Sequence, residues 1–320
     1  MSGDNPHRVR LDPWTPEYDS AVQMDDGSEA PARVDPRVEM DAWEAVGPGP
    51  EPAPRRIAFV DGVRRVDTRL VVERGEETLF GLLGSVGVGA VATDPEARVV
   101  EACVGRLCCV AGGLALRDFE GVARGAGLSF LPEPCPESTP LAPLQGLQTA
   151  MRRREAELAG RLAGSHELVF LDGPLTFLGS AVGPVVGFVK RLVRRYLQPP
   201  HSSLLPRLEL GERTPLFLVE DPGHPRYSWY TRLGRGRSLD ASLAGVVRLE
   251  TRADLGLDAA RRLADASARL LPRFASHPAR DPRAPQNLVP IGGLEARLRH
   301  LLGDPLIVRR AIEVHLQGAL

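Results

Sequence analysis

The stretch Ile57-Ala-Phe-Val-Asp-Gly62 decides how the chain is interpreted, because four apolar residues run directly into an acidic residue and a glycine. A short apolar run bounded by a turn signal predicts a β-strand. Asp-Gly is also a preferred pair in tight hairpin turns. We therefore predict a strand at 57–60 followed by a turn at Asp61-Gly62. Alone, the pair indicates a turn more strongly than a functional site.

A second Asp-Gly pair, Asp172-Gly173, follows the stretch 166–171, which ends in the apolar run Leu-Val-Phe-Leu and is also predicted to be a strand. A third pair, Asp26-Gly27, lies in a polar segment with no strand before it, and we interpret it as turn or coil. Because each of the first two pairs ends an apolar strand, their carboxylates would emerge at one edge of the sheet if the strands are neighbours. The two pairs therefore predict an acidic centre.

The surrounding elements predict an α/β domain with a mixed sheet. Further strands are predicted at 66–73, 86–93, 98–104 and 107–114. Leucines at helical spacing between charged residues then predict an amphipathic helix at 144–162. Later strands are predicted at 185–190, 215–219, 228–233 and 245–250, and helices at 257–271, 293–302 and 306–317.

The first 54 residues differ from the rest of the chain. They are rich in Pro, Asp, Glu and Gly and show no sustained hydrophobic period, so we predict an N-terminal extension (1–54) before the main domain (55–320). Trp14, Tyr18 and Trp43 are unusual in a purely disordered tail. We expect part of the extension to be ordered and to dock on the main domain or on another subunit.

Charge and composition restrict the possible functions. The formal net charge is −1, so a polyanion must bind at a local basic patch. Of the 40 basic residues only Lys190 is a lysine, and Arg191 follows it. A Walker A loop needs Gly-Lys followed by Ser or Thr, so the chain has no P-loop. If the system uses ATP, a partner must hydrolyse it.

The cysteines and the apolar runs favour a cytoplasmic protein. The four cysteines lack C-x-x-C spacing, so we expect buried reduced thiols and neither a zinc site nor a disulfide scaffold: Cys103, Cys108, Cys109 and Cys135. The first 20 residues are polar, and the longest apolar runs are short and broken by Gly and Pro. We therefore expect no signal peptide and no membrane span.

Glu155 is the candidate third carboxylate. It lies on the polar part of the predicted helix, which could bring it to Asp61 and Asp172 by packing on the sheet. Three carboxylates on rigid elements form a hard oxygen site suited to Mg²⁺ or Mn²⁺. Two such ions can hydrolyse a phosphodiester. Two alternatives stay open: Glu155 is an ordinary surface partner of an arginine, or Glu157 is the helix ligand.

A basic cluster follows the predicted strand 185–190 and comprises Lys190, Arg191, Arg194 and Arg195. Four cations within six residues predict contacts to backbone phosphates, with Lys190 nearest the scissile phosphate. A solvated helical face is an alternative of equal weight.

An aromatic segment, Tyr227-Ser-Trp-Tyr-Thr-Arg232, is a candidate for binding single-stranded nucleic acid. Trp229 and Tyr230 would stack on bases, with Arg232 beside them. Core packing has at least equal weight for whichever aromatic residue points inward. Arg248 and Glu250 alternate with apolar residues, so they share a strand face and are expected to pair with each other.

Together, these motifs resemble the NurA-type nucleases in their bacterial form. No single motif is decisive, but their order is quite specific and spans residues 56–315. The matching segments are the strand ending in Asp61-Gly62, Met151–Ala159, Leu171–Leu175, Gly187–Lys190, Gly211–Phe217, Ser228–Leu233 and Asp281–Glu295.

The resemblance implies a ribonuclease-H-like fold and a Mn²⁺-dependent DNA nuclease with single-strand endonuclease and 5′-to-3′ exonuclease activities. It also implies a homodimer docked on a HerA-type hexameric ATPase, acting in DNA end resection during double-strand-break repair. By position, Asp61, Glu155 and Asp172 correspond to the acidic metal ligands of the family. Lys190 corresponds to a lysine near the site. These four residues are the expected catalytic group.

The sequence departs from the family at the C-terminal metal ligand. Archaeal members have a metal-binding histidine where this chain has Pro290–Glu295. Glu295 is the candidate replacement, His300 is a less favoured one, and a site without this ligand is the third possibility. A degenerate site would make the chain a structural partner of a ring ATPase. A metal-dependent RNase or phosphomonoesterase is a further interpretation.

Overall fold

The computed structural model describes residues 8–11, 33–47, 49, 52–94, 96–122, 128–180, 182–192, 195–236 and 240–319. Within these ranges, the strands are β1 (Arg8–Leu11), β2 (Arg33–Asp35), β3 (Ile57–Arg74), β4 (Glu77–Thr93), β5 (Ala97–Val110), β6 (Leu131–Pro134), β7 (Leu168–Asp172), β8 (Val185–Val189), β9 (Phe217–Glu220), β10 (Arg226–Arg232) and β11 (Val246–Arg252). The α-helices are α1 (Ala142–Ala163), α2 (Leu257–Phe274), α3 (Val289–Leu301) and α4 (Pro305–Ala319).

The strands form one mixed sheet in the order β2-β9-β10-β11-β8-β7-β3-β4-β5-β6, and β1 pairs with β3. Strands β3, β4 and β5 make an antiparallel meander. After α1, β7 runs parallel to β3, and β8 runs parallel to β7. The order β5-β4-β3-β7-β8 is that of the ribonuclease H fold. The predicted ribonuclease-H-like mixed sheet flanked by helices is therefore confirmed.

Helices cover both faces of the sheet, so the side chains of β3 point alternately into two different cores. Ala58 and Val60 belong to the core formed with α1. Phe59, between them, belongs to the core formed with α2 and the start of α3. Since successive side chains of a strand alternate between faces, Asp61 points towards α3 and Gly62 faces α1.

The predicted turn at Asp61-Gly62 is wrong. Strand β3 is 18 residues long and continues through this pair, with Asp61 opposite Gly89 and Gly62 opposite Val88 on β4. The predicted strands at 57–60 and 66–73 are therefore one strand. The predicted strands at 98–104 and 107–114 merge into β5 in the same way. Pairing along the whole length of the meander outweighs the local turn preference of Asp-Gly.

Described parts of the N-terminal segment contact the main domain. Strand β1 pairs with β3, and β2 pairs with β9. The carboxylate of Glu39 accepts two hydrogen bonds from the Arg213 guanidinium at 2.9 Å each. The indole nitrogen of Trp43 donates to the carbonyl of His201 at 3.0 Å. Trp14, Tyr18 and Asp26-Gly27 lie outside the described residues, and the division at residue 54 stays a prediction.

The free cysteines include three buried thiols, as expected, at positions 108, 109 and 135, whereas Cys103 is exposed. None of the helices among the described residues combines the length and the apolar character that crossing a membrane requires.

Candidate active site

Asp61 and Asp172 lie at equivalent points of two neighbouring strands. Strands β3 and β7 are parallel and adjacent, and Val60 pairs with Leu171 immediately before the two acidic residues. The two strands are therefore neighbours, which was the condition for the two carboxylates to meet. Strand β7 ends at Asp172, whereas β3 continues past Asp61. Asp61 is consequently buried, and Asp172 is partly accessible at the mouth of the site.

Glu295 completes a cluster of three carboxylates, which we call the acidic centre. It lies on α3, which packs across β3 through Leu294, Leu298 and Val63. One oxygen each of Asp61, Asp172 and Glu295 lies within 4.8 Å of the other two. The structure thus brings the predicted C-terminal candidate to the two aspartates. His300, the less favoured candidate on the same helix, is exposed.

Asp61 lies in a strongly perturbed electrostatic environment. Burial raises the pKa of Asp61 well above its ordinary value, and the charges of Asp172 and Glu155 raise it further. The opposing charge of Lys190 is a smaller effect. Oδ2 of Asp61 accepts no hydrogen bond within the described ranges of the chain. A buried carboxylate oxygen without a donor fits a cation partner, and oxygen-only ligands suit a hard divalent ion.

Glu155 approaches Asp61 from the opposite face of the sheet. It is completely buried on α1, and a β-carbon at position 62 would lie 2.5 Å from its Oε1. Its Oε2 accepts a hydrogen bond from Nη1 of Arg152 at 3.1 Å. Glu155 therefore does pair with an arginine, but in the interior and not on the surface. It acts on Asp61 through its charge and is not among the three residues of the acidic centre.

Glu157, the alternative helix ligand, is exposed. It lies two residues after Glu155 on α1, which turns it away from the buried face of the helix. Of the two glutamates, only Glu155 is therefore placed next to Asp61.

Lys190 reaches the acidic centre from the strand next to β7. Strand β8 pairs with β7 so that Phe188 lies opposite Asp172, and Lys190 lies two residues further on the same face. Its Nζ donates to Oδ2 of Asp172 at 2.5 Å and to Oδ1 of Asn287 at 2.8 Å. Lys190 therefore neutralises part of the charge of the centre.

The segment before α3 supplies polar residues that sequence reasoning did not select for the site. Asn287 is completely buried and donates to Oδ2 of Asp281 at 2.6 Å. Burial would raise the pKa of Asp281, but hydrogen bonds from Asn287 and Arg283 lower it to about 2. Arg283 also donates to both oxygens of Glu295, at 3.0 and 3.2 Å. The sequence feature that could have identified these residues is the alternation of charged and amide residues within the proline-rich segment 281–287.

Arg152 is another residue at the site that was not predicted from the sequence. Its Nη1 donates to the backbone carbonyl of Asp172 as well as to Glu155. A β-carbon on Gly173 would lie 2.5 Å from this Nη1, so glycine at this position makes room for the guanidinium. Arg152 thus links α1 to the end of β7.

Two arginines of the basic cluster beyond Lys190 are described, Arg191 and Arg195. Both are exposed and neither is in a helix, so the predicted alternative of a solvated helical face does not describe these two residues. Arg194 lies outside the described residues.

The assignment of Trp229, Tyr230 and Arg232 to nucleic-acid binding is wrong because all three are buried. Trp229 packs in the core under α2. Tyr230 packs in the core on the opposite face and stacks on Phe217, with ring centroids 5.7 Å apart. Arg232 donates to the backbone carbonyls of Ala244 and Pro206 at 3.1 Å each. None of them can present a surface to a base.

Arg248 and Glu250 pair with each other, as expected. Both are buried, and Arg226 also lies 3.1 Å from Glu250. Burial would raise the pKa of Glu250, but the charges of Arg248 and Arg226 hold it below its ordinary value. This ion pair therefore lies in the protein interior.

The fold and the site together define a ribonuclease-H-like domain with a buried acidic centre. No family model matches the chain, and no match is found among the curated proteins. Among the solved structures, the chain is similar to the crystal structure of the NurA nuclease from Sulfolobus solfataricus, with a TM-score of 0.49 and 11% sequence identity. The similarity covers 87% of this chain and 88% of that chain.

Proposed function

We propose that this protein is a metal-dependent deoxyribonuclease that hydrolyses phosphodiester bonds. The observation that carries the proposal is the acidic centre of Asp61, Asp172 and Glu295 on a ribonuclease-H-like sheet. Its donors are all carboxylate oxygens, which suit Mn²⁺ or Mg²⁺. Bound there, such ions would lower the pKa of a coordinated water and stabilise the leaving oxygen of the phosphodiester.

The residues around the centre have distinct roles in this proposal. Asp61, Asp172 and Glu295 hold the cation, and the buried charge of Glu155 strengthens the negative potential beside Asp61. Glu155 is also proposed as a catalytic residue, since it corresponds by position to an acidic residue of the family that the motifs resemble.

Lys190 lies at the accessible side of the centre and would contact the substrate phosphate. The side chains of Lys190 and Asp172 are 18% and 16% exposed, so both reach the mouth of the site. An ammonium group has three N–H donors, and among the described residues two of them have partners, Asp172 and Asn287. The third N–H can therefore meet a phosphate oxygen. Exposed Arg191 and Arg195 would extend this positive charge along the DNA backbone.

The proposals on the preferred ion, the cleavage activities and the partners rest on the motif resemblance. We propose Mn²⁺ as the preferred ion, with Mg²⁺ as an alternative, and single-strand endonuclease and 5′-to-3′ exonuclease activities. We also propose a cytoplasmic homodimer that acts with a HerA-type hexameric ATPase in DNA end resection and double-strand-break repair. If the system uses ATP, such a partner would hydrolyse it, because the chain has no P-loop.

Cleavage assays test the nuclease proposal. Purified protein is incubated with labelled single-stranded DNA, duplex DNA, RNA and a small phosphate ester, in Mn²⁺ or in EDTA. We expect Mn²⁺-dependent cleavage of DNA, lost in an Asp172→Ala variant that keeps its thermal melting transition. Unchanged cleavage by that variant would contradict the proposal. Cleavage restricted to RNA or to the ester would replace the substrate assignment, and a protein without metal binding or cleavage would be a degenerate structural partner.

A further inference from the structure

A continuous hydrogen-bonded chain connects two carboxylates of the acidic centre through the segment before α3. From Asp172 it passes to Lys190, then to Asn287 and on to Asp281, with distances of 2.5, 2.8 and 2.6 Å. Asp281 accepts from the backbone N–H of Arg283 at 2.8 Å, and the Arg283 guanidinium ends the chain at Glu295. Lys190 and Asn287 are 97 residues apart in sequence, so this contact is a property of the fold.

We propose that Asn287 is a positioning residue that holds the ammonium of Lys190 at the mouth of the acidic centre. The inference rests on the proposed nuclease function for its catalytic consequence only. The placement of Lys190 itself can be measured without any activity.

The neighbours of Asn287 allow only one orientation of its amide group. The ammonium of Lys190 can only donate hydrogen bonds, and the carboxylate of Asp281 accepts them. The amide between them must therefore turn its oxygen to Lys190 and its nitrogen to Asp281. Because Asn287 is completely buried, water cannot replace either contact. The result is a fixed acceptor for one N–H of Lys190.

A fixed acceptor is needed because a lysine side chain is long and flexible. Asp172 is the other acceptor of Lys190, but Asp172 is also a proposed cation ligand, so its charge is shared. Asn287 carries an amide and is not one of the three proposed cation ligands of the acidic centre. It can hold Lys190 whether or not a cation is present, with one N–H left for a substrate phosphate.

The sequence offers a direct spectroscopic test, because Lys190 is the only lysine in the chain. Protein labelled with ¹³C and ¹⁵N in lysine alone gives a single side-chain Nζ resonance, correlated with its Cε. We expect Asn287→Ala to shift this resonance measurably towards the position of a solvated lysine, with the Asp172 contact still in place. The matched control is Gln286→Ala, since Gln286 approaches only the backbone oxygen of Lys190, at 3.5 Å. An unchanged resonance in Asn287→Ala would overturn the proposal.

A double-mutant cycle tests the catalytic consequence. We expect Asn287→Ala to lower kcat by about 10- to 100-fold, with KM changed only a few-fold. If Asn287 acts through Lys190, the Lys190→Ala and Asn287→Ala double variant is no slower than Lys190→Ala alone. Losses that multiply would overturn the proposal, since they show an independent role.

A second variant and the wild-type resonance separate a folding defect from a failure of the nuclease proposal. If Asn287→Ala does not fold, Asn287→Ser removes the amide group and leaves a smaller polar side chain. Melting curves show which variant to use. If the wild-type protein cleaves no DNA, the nuclease proposal has failed, and the single Nζ resonance still decides whether Asn287 holds Lys190.

Discussion

Oε1 of Glu155 occupies the space that a side chain would need at Gly62, because a β-carbon there would lie only 2.5 Å away. Gly62 is therefore explained by the close approach of a carboxylate across the sheet and not by a turn. This arrangement lets the charge of Glu155 act on Asp61, although their side chains come from opposite faces of the sheet.

Replacement of Gly62 by alanine should displace Glu155. Because Oε1 and the neighbouring Met151 leave no room for a methyl group, we expect a loss of about 1–3 kcal/mol in the free energy of unfolding. We also expect at least about tenfold slower DNA cleavage, the lower end of the range for residues around a metal site. Urea unfolding and cleavage rates measure the two effects.

The control for this variant is Gly160→Ala on the same helix as Glu155. The nearest atom to a β-carbon at Gly160 is Cγ1 of Val182 at 3.9 Å, an ordinary contact. Alanine should stabilise the helix by about 0.5–1 kcal/mol and leave cleavage unchanged. Equal losses in Gly62→Ala and Gly160→Ala would contradict this account of Gly62.

The two glutamates of α1 should differ sharply in their effect on cleavage. Glu155→Gln keeps the shape of a completely buried side chain and removes its charge, so we expect cleavage to fall by about 10- to 100-fold. Glu157→Gln changes an exposed residue and should alter neither cleavage nor stability by a measurable amount. Equal cleavage rates of the two variants would show that Glu155 has no special role in cleavage.

The raised pKa of Asp61 predicts how the metal-free protein responds to pH. Folding raises this pKa above the unfolded value of about 3.9, so the folded state holds the proton more tightly. The contribution of Asp61 to stability is therefore fully present below that value and is lost as pH rises through the raised pKa. At pH near 7.5 in EDTA, Asp61→Asn should melt at a higher temperature than the wild type.

Two measurements complete this test. Near pH 4 the melting temperatures of Asp61→Asn and the wild type should converge, since Asp61 is then protonated in the folded protein. Added Mn²⁺ should raise the melting temperature of the wild type more than that of the variant. A variant that melts below the wild type in EDTA near pH 7.5 would show that the charge of Asp61 stabilises the metal-free fold.

Trp229 should matter for stability and not for DNA contact. Because it is completely buried under α2, Trp229→Ala should cost about 3–5 kcal/mol in the free energy of unfolding. Chemical denaturation measures this loss. Normal stability with weakened DNA binding would restore the stacking role that the burial of Trp229 contradicts.

Arg195 should behave in the opposite way. It is exposed beyond Lys190, so Arg195→Ala should leave the unfolding curve unchanged and weaken DNA binding. Loss of one phosphate contact should reduce the slope of log affinity against log salt concentration by about one. Fluorescence anisotropy at several salt concentrations measures the slope, and an unchanged slope would remove Arg195 from the DNA path.

The central features of the fold followed from local sequence patterns. The apolar runs before Asp61 and Asp172 are short and continuous, which predicts a strand at each, and the predicted amphipathic helix directly precedes the second. The meeting of the two aspartates could be predicted only on the condition that these two strands are neighbours, which the structure shows. The turn at Asp61-Gly62 was wrong because its local preference carries no information about pairing with β4.

The errors at Trp229 and Tyr230 have a different cause. Alternation usually places one face of a strand in solvent, but β10 is a central strand with separate cores on both faces. Neither aromatic side chain is therefore available, and no property of the segment itself shows this. Asn287 could not be predicted either, because its role depends on a contact with Lys190 across 97 residues.

Anomalous diffraction at the manganese edge, from crystals soaked in Mn²⁺, tests the central claim most directly. We expect an anomalous peak in contact with carboxylate oxygens of Asp61, Asp172 and Glu295. The absence of a peak there at saturating Mn²⁺, or a peak confined to another part of the molecule, would contradict it.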